Sequence, residues 1–195
     1  MHQQHTVWQT DFIAQQHLRH TSSLKVFADK NDVIWLYGQG TLMRYNKTSN
    51  TWDTTIGNQL GLTGISVDHS VNGIVGDKAG NIWIGTDRMG LIRTNTEAQI
   101  MEPVRPTNGI DARTQQETIG IQSLYVDDTD LLWVGTEKSG VAFYGDNIYK
   151  FQSNFNGDIT AIAQDNSGRI WFGTSDHGVI GYEGTLASQK VSCMT

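Results

Sequence analysis

Four aspartates in this chain recur with a tryptophan six residues downstream: Asp29 and Trp35, Asp77 and Trp83, Asp127 and Trp133, Asp165 and Trp171. Repeated carboxylates invite a metal-binding or acid–base reading, but their surroundings point elsewhere. Each Asp opens a four-residue segment that closes on Gly or Asp, at Asp32, Gly80, Asp130 and Gly168. That is the chemistry of a tight turn: the carboxylate caps the turn, and Gly or Asp tolerates positive φ. The spacing and closing Glu of a calcium loop are missing. One copy per repeat would also make four equivalent sites, unlike a catalytic pair. All eight residues are therefore expected to be structural, with no metal.

Other chemistry-bearing residues are sparse. The histidines pair as His2/His5 and His17/His20, each three apart, which could chelate a transition metal on a helix. They lie in a polar terminal stretch, and a chance arrangement is the expectation. His69 and His177 read as single loop residues. No nucleophile elbow, Cys–His pair or phosphate loop occurs. The expectation is a non-enzymatic protein with no catalytic residues and no cofactor. The lone cysteine, Cys193, excludes an intrachain disulfide.

The elements that place these residues follow from a repeat. Segments 23–35 (SLKVFADKNDVIW), 71–83 (VNGIVGDKAGNIW), 121–133 (IQSLYVDDTDLLW) and 159–171 (ITAIAQDNSGRIW) align without gaps. The last three continue alike, as WIGTDRMGL, WVGTEKSGV and WFGTSDHGV, while the first continues as WLYGQGTL. Tryptophan spacings of 48, 50 and 38 residues suit a propeller blade, whose repeat is roughly 40–50 residues. An apolar run before each Asp forms a first strand, and the Trp-bearing run a second. A third passes through Leu91, Val141 and Val179, and a weaker fourth is predicted at 50–55, 98–104, 147–152 and 185–191.

In Ile82-Trp83-Ile84 and its counterparts both strand faces are apolar, because strand side chains alternate. A sheet covered on one side only would alternate apolar with polar. Sheets buried on both faces fit blades stacked around an axis. Gly85, Gly135 and Gly173 share the Trp face and leave room there. Tyr37 takes that place in the first repeat, so its packing must differ. The reading is an all-β chain, a β-propeller of about four blades with four antiparallel strands each. The repeats cover about 22–55, 71–104, 121–152 and 159–192. Residues 1–21 would be an outer strand or the tail of a preceding blade. If residues 6–12 pair with 179–183 the ring closes; otherwise the array is an open partial ring that exposes Trp-bearing faces and self-associates.

At these residues the sequence resembles the two-component regulator propeller repeat, D-x-x-G-x-[IL]-W-[IVF]-G-T followed by G-[LV]. Segments 74–91 (IVGDKAGNIWIGTDRMGL) and 162–179 (IAQDNSGRIWFGTSDHGV) match it almost throughout. Segment 124–141 carries Asp130 in place of Gly, and the first repeat departs most. The resemblance implies a sensor propeller of the kind found in the periplasmic part of histidine kinases or cyclic-dinucleotide enzymes, responding to ligands such as oligosaccharides. It also implies a periplasmic or extracellular place. The chain holds no kinase, receiver or cyclase sequence, so it would be a piece of such a sensor or a stand-alone relative. Met1 to His5 lacks the basic start of a secretory signal, which keeps a cytoplasmic place open.

A site is expected on the propeller side that carries the blade connections (56–70, 105–120, 153–158) and the turns after the second strands. Loops on a rigid scaffold concentrate binding residues. That side collects Arg88, Arg105, Arg113 and Lys138, the candidate contacts for an anionic or sugar-like ligand. Solvated loop charges are the plainer reading of the same residues. With 14 Lys+Arg against 20 Asp+Glu the net charge is −6, which argues against nucleic acid. No apolar run approaches the ~18 residues of a membrane span. The leading function is a sensor or ligand-binding propeller module; the alternative is a protein-interaction scaffold.

Overall fold

A computed structural model describes residues 24–64, 68–104, 119–145, 148–151, 157–183 and 190–193. Each repeat forms one four-stranded antiparallel sheet whose strands neighbour each other in chain order. The first blade comprises β1 (Lys25–Ala28), β2 (Ile34–Gly38), β3 (Thr41–Asn46) and β4 (Thr51–Asp53). The second holds β5 (Val71–Gly76), β6 (Asn81–Thr86), β7 (Leu91–Asn95) and β8 (Glu102–Val104). The third holds β9 (Ile121–Val126), β10 (Leu132–Thr136), β11 (Val141–Gly145) and β12 (Ile148–Phe151). The fourth holds β13 (Ile159–Gln164), β14 (Ile170–Thr174), β15 (Val179–Glu183) and β16 (Lys190–Cys193). The architecture is that of a β-propeller with four blades; the fourth strands of the first three blades fall inside the ranges expected for them, while that of the fourth blade, Lys190–Cys193, lies later than the expected 185–191 and shares only residues 190–191 with it. One element goes beyond the expected meander: part of the first connection is a short helix, α1 (Thr55–Gln59).

The aspartate turns are built alike in all four blades. One carboxylate oxygen accepts from the backbone N–H four residues on: Val33 to Asp29 at 3.0 Å, Asn81 to Asp77 at 2.8 Å, Leu131 to Asp127 at 3.0 Å and Arg169 to Asp165 at 3.1 Å. The closing residues Asp32, Gly80, Asp130 and Gly168 all have positive φ, as that turn requires. The second carboxylate oxygen accepts the indole N–H of the tryptophan. The distances are 3.3 Å for Trp35, 2.9 Å for Trp83, 2.8 Å for Trp133 and 2.8 Å for Trp171. A buried indole that keeps its hydrogen bond can pack without leaving a polar group unpaired.

That anchored ring is the wedge between blades. In the register of each sheet, Val75 opposes Trp83 and Ile74 opposes Ile84, so the two faces of the second strand are distinct. The Trp face of one blade packs on the Ile face of the next. Trp35 and Tyr37 join Val71, Ile74, Ile82, Ile84 and Ile92. Trp83 and Leu91 join Ile121, Leu132, Val134 and Ala142. Trp133 and Val141 join Ile159, Ile170, Phe172 and Tyr182. Burial on both faces of the second strand is thus met by neighbouring blades. The blades pack in chain order, β2 against β5, β5 and β6 against β9, β9 and β10 against β13.

In the second and third blades the glycine two residues after the tryptophan admits the first residue of the next blade. A Cβ on Gly85 would lie 2.6 Å from Ile121 Cγ2; one on Gly135 would lie 2.2 Å from Ser123 Oγ of its own blade and 2.8 Å from Ile159 Cγ2 of the next. In the first blade Tyr37 fills that space, and the residue across the junction is the smaller Val71 in the same cluster. Ring closure through residues 6–12 lies outside the described residues. Within the described ones, β15 already has β14 on one edge and β16 on the other. Its backbone has no free edge for a further strand, so closure by pairing at 179–183 does not fit.

The side-chain hydroxyl of Ser167 is the largest influence on Asp165, followed by the Trp171 indole. Together they hold its carboxyl far below the ordinary 3.8. With the folded value depressed, the native state binds fewer protons than the unfolded chain. The stability this group contributes is present above about pH 4 and is lost as pH falls through the range below it. Unfolding followed from pH 5 to pH 2 should therefore show a shallower pH dependence in Asp165→Asn than in the parent chain. Substitution of the socket glycines gives a second expected outcome. Gly85→Ala and Gly135→Ala should each destabilise by about 1–3 kcal/mol through overpacking, measured by denaturant unfolding. Gly173→Ala, whose added Cβ meets only its own blade, with Ala161 Cβ nearest at 3.4 Å, should change stability by less than about 0.5 kcal/mol.

Candidate ligand-binding rim

The Gly-Thr pair and the glycine four residues later build one rigid turn three times. Thr86, Thr136 and Thr174 each donate their hydroxyl to the carbonyl of Gly90, Gly140 and Gly178, at 3.0, 2.7 and 3.0 Å. In return the threonine oxygen accepts from Met89 N and from His177 N, both at 2.8 Å. The three glycines sit at φ near +70°. The tips are thereby held in fixed geometry while their side chains point to solvent. They are Arg88 and Met89 in the second blade, Lys138 in the third, and Asp176 and His177 in the fourth, all exposed.

The segment entering each blade docks beside these tips. Gly40 N donates to His69 O at 2.9 Å and Gly140 N to Gly157 O at 3.0 Å, joining the turn of one blade to the entry of the next. Within blades, Asp87 N donates to Ser70 O and Glu137 N to Gly120 O. Two carboxylates serve as clamps. Asp87 accepts from Ser70 N at 3.0 Å, and Asp158 accepts from Lys138 N at 2.7 Å. These bonds make the rim an ordered surface, with no long free loop among the described residues.

Of the four cations singled out in the sequence, Arg88 and Lys138 occupy the same tip position in adjacent blades. Arg105 and Arg113 lie outside the described residues. Lys138 does not stand alone. Lys138 Nζ lies 3.4 Å from Glu137, and Asp176 lies 2.7 Å from His177 Nδ1. With Asp87 and Asp158, the described residues of the rim present donors and acceptors of both signs. His69, read as a single loop residue, is placed at the junction of the first two blades. Its Nδ1 is shielded from solvent and has no hydrogen-bond partner among the described residues. No sequence signal distinguished it, because only the fold brings residue 69 against Gly40.

No group of three or more His, Cys, Asp or Glu side chains that could hold a metal is found among the described residues. No helix among them is long and apolar enough to cross a membrane.

A family model described as two component regulator propeller matches residues 65–88 and 154–176. Those segments hold the Asp, Trp and Thr positions of the second and fourth blades. No curated protein matches the chain. Among solved structures, the extracellular domain of a B. thetaiotaomicron protein described as a hybrid two-component system is similar. Its TM-score is 0.65 at 22% identity, over 88% of this chain and 22% of its own. A catalytically inactive virginiamycin B lyase from Staphylococcus aureus, solved with quinupristin, has a TM-score of 0.58 at 10% identity, over 89% of this chain and 56% of its own. PorZ, a surface component of the type-IX secretion system of Porphyromonas gingivalis, has a TM-score of 0.55 at 15% identity, over 86% and 27%. Likeness at these identities is one of fold. The chain spans about a fifth of the length of the first of these structures, at 22% of it.

Proposed function

We propose that this array of two-component regulator propeller repeats is a ligand-binding part of a sensor facing the outside of the cell, without catalytic activity of its own. The observation that carries the reading is the rim. Three successive blades hold Arg88 and Met89, Lys138, and Asp176 with His177 on turns locked by the same Thr–Gly bonds. Rigid presentation lowers the ordering cost of binding. Donors and acceptors of both signs, beside an exposed methionine, suit a neutral polyhydroxylated ligand such as an oligosaccharide. A purely anionic ligand would meet Asp87, Glu137, Asp158 and Asp176 as well as the cations. The extracellular placement draws on the similar B. thetaiotaomicron domain, and the sensing role on the repeat family. An interaction scaffold is the second reading, favoured by the exposed side of the fourth blade.

Thermal unfolding against a panel of neutral and acidic oligosaccharides tests the proposal. A true ligand at a hundred times Kd should stabilise by about 2.7 kcal/mol, which for a chain of this size is roughly 5–10 °C. The combined Arg88→Ala and Lys138→Ala variant should keep its unliganded melting temperature and lose most of that shift. A shift that survives the double substitution would move the site off the rim.

A further inference from the structure

The second and fourth blades carry the same pair of polar residues at entry and tip, but exchanged. Ser70, Gly120 and Asp158 are the entry residues whose carbonyls accept from the first residue of their own tip, Asp87 N, Glu137 N and Ser175 N. In the second blade the carboxylate is on the tip, and Asp87 accepts from Ser70 N of the same blade at 3.0 Å. In the fourth it is on the entry, where it reaches back to the preceding blade. Asp158 Oδ1 accepts from Lys138 N at 2.7 Å, and its Oδ2 lies 3.5 Å from the Ser175 hydroxyl. The residue so held is in an unusual conformation. Lys138 has a φ of 69°, while Arg88 and Asp176, in the same position of their tips, are outside the left-handed region. That region suits Asp and Asn, which bond locally, better than lysine. Such a conformation persists where the surrounding structure imposes it, and it concentrates at ligand clamps.

The fourth-blade tip closes on the same point. Gly157, beside Asp158, has a φ of +149°, and a Cβ on it would lie 3.7 Å from Asp176 Oδ1 and 3.8 Å from His177 Nδ1. Its carbonyl accepts from Gly140 N at 3.0 Å, a second bond across this junction. Asp176 Oδ1 lies 2.7 Å from His177 Nδ1. An ionised carboxylate only accepts, so in the neutral imidazole Nδ1 carries the proton and Nε2 is left as an acceptor. Both Lys138 and His177 are exposed.

We propose that Asp158 is a positioning residue: it holds the Lys138 tip in its left-handed turn, so that the junction of the third and fourth blades binds a neutral saccharide through Lys138 and His177. This rests on the rim reading and narrows it to one junction. The two side chains complement a hydroxyl group, which has both lone pairs and a proton. Lys138 Nζ offers donors only, and His177 Nε2 takes one. A sulfate or carboxylate group brings no proton for Nε2, and would stand near Glu137, Asp158 and Asp176. Asp158 acts through the backbone of residue 138 rather than by touching the saccharide.

Two measurements on the whole chain, made well below its melting temperature, test this. They are amide exchange at Lys138 by NMR, and calorimetric titration with neutral hexasaccharides of glucose, mannose or xylose. Asp158→Ala should speed exchange of the Lys138 amide at least about tenfold and leave the Trp133 and Trp171 amides unchanged. It should also weaken the tightest-binding hexasaccharide at least about tenfold, by loosening a preorganised contact. Asp158→Asn keeps an acceptor oxygen and should restore both readouts to within about threefold of the parent. Lys138→Gly should keep the slow amide, since glycine adopts this φ freely, and should lose the binding. An Asp158→Ala chain that frees the amide yet binds as the parent does would overturn the proposal, leaving the rim reading to stand or fall on the Arg88 and Lys138 double variant. A Lys138 amide as slow in Asp158→Ala as in the parent would overturn it too. Asp158→Asn with a slow amide and no binding would make the carboxylate a direct contact and overturn the positioning role. A parent chain that binds none of the hexasaccharides would overturn the saccharide assigned to this junction.

Discussion

The bond from each tryptophan indole to the aspartate six residues before it is the interaction on which the rest depends. It uses both oxygens of one carboxylate, one for the turn and one for the ring. The turn fixes the strand that carries the tryptophan, and the ring's only polar group is satisfied inside its own blade. The flat faces of the indole are then free to be entirely apolar toward the neighbour. Without that bond, burying Trp133 at the junction would strand an N–H in a low-dielectric contact, at about 1–3 kcal/mol. The architecture is a local device stated once per blade and summed along the array, as in other repeat proteins.

Such additive construction explains the differences between blades. Interior blades have neighbours on both sides, and their glycines are sockets. In the fourth blade the same sequence is exposed, so Trp171 is half-buried and Ala161, Ala163 and Val179 face solvent. The first blade departs in sequence as well, with Tyr37 in place of glycine and Val71 opposite it. One bulk change on one blade is matched by a smaller residue on the next. The core-facing positions repeat closely, while the tips at Arg88, Lys138 and His177 differ from blade to blade. Turns whose frame is constant and whose tips vary suit recognition.

Most of the fold was legible because its signals are local. The D-x-x-G turns, the two-faced apolar strands and the Gly-Thr turn each lie within about ten residues. What Asp29, Asp77, Asp127 and Asp165 do with their second oxygen was not read from the sequence, although the constant spacing of six was its trace. The partnership of Gly135 with Ile159 joins residues in different blades, and no local pattern reports it. The helix at Thr55–Gln59 was missed because its buried residues, Ile56 and Gly57, carry too short an apolar pattern. For the site, the sequence named the tip cations but not their company. Asp158 and Lys138 meet through the backbone N–H of residue 138, a contact that tertiary packing creates.

The most direct measurement is a double-mutant cycle between Asp127 and Trp133, using Asp127→Asn, Trp133→Phe and the double variant in denaturant unfolding. Their bond is 2.8 Å and buried between two blades. A coupling of at least about 1 kcal/mol is predicted, and a smaller one for Asp165 and Trp171 at the open end. Single-variant effects at Asp127 and Trp133 that simply add, to within about 0.3 kcal/mol, would contradict the account.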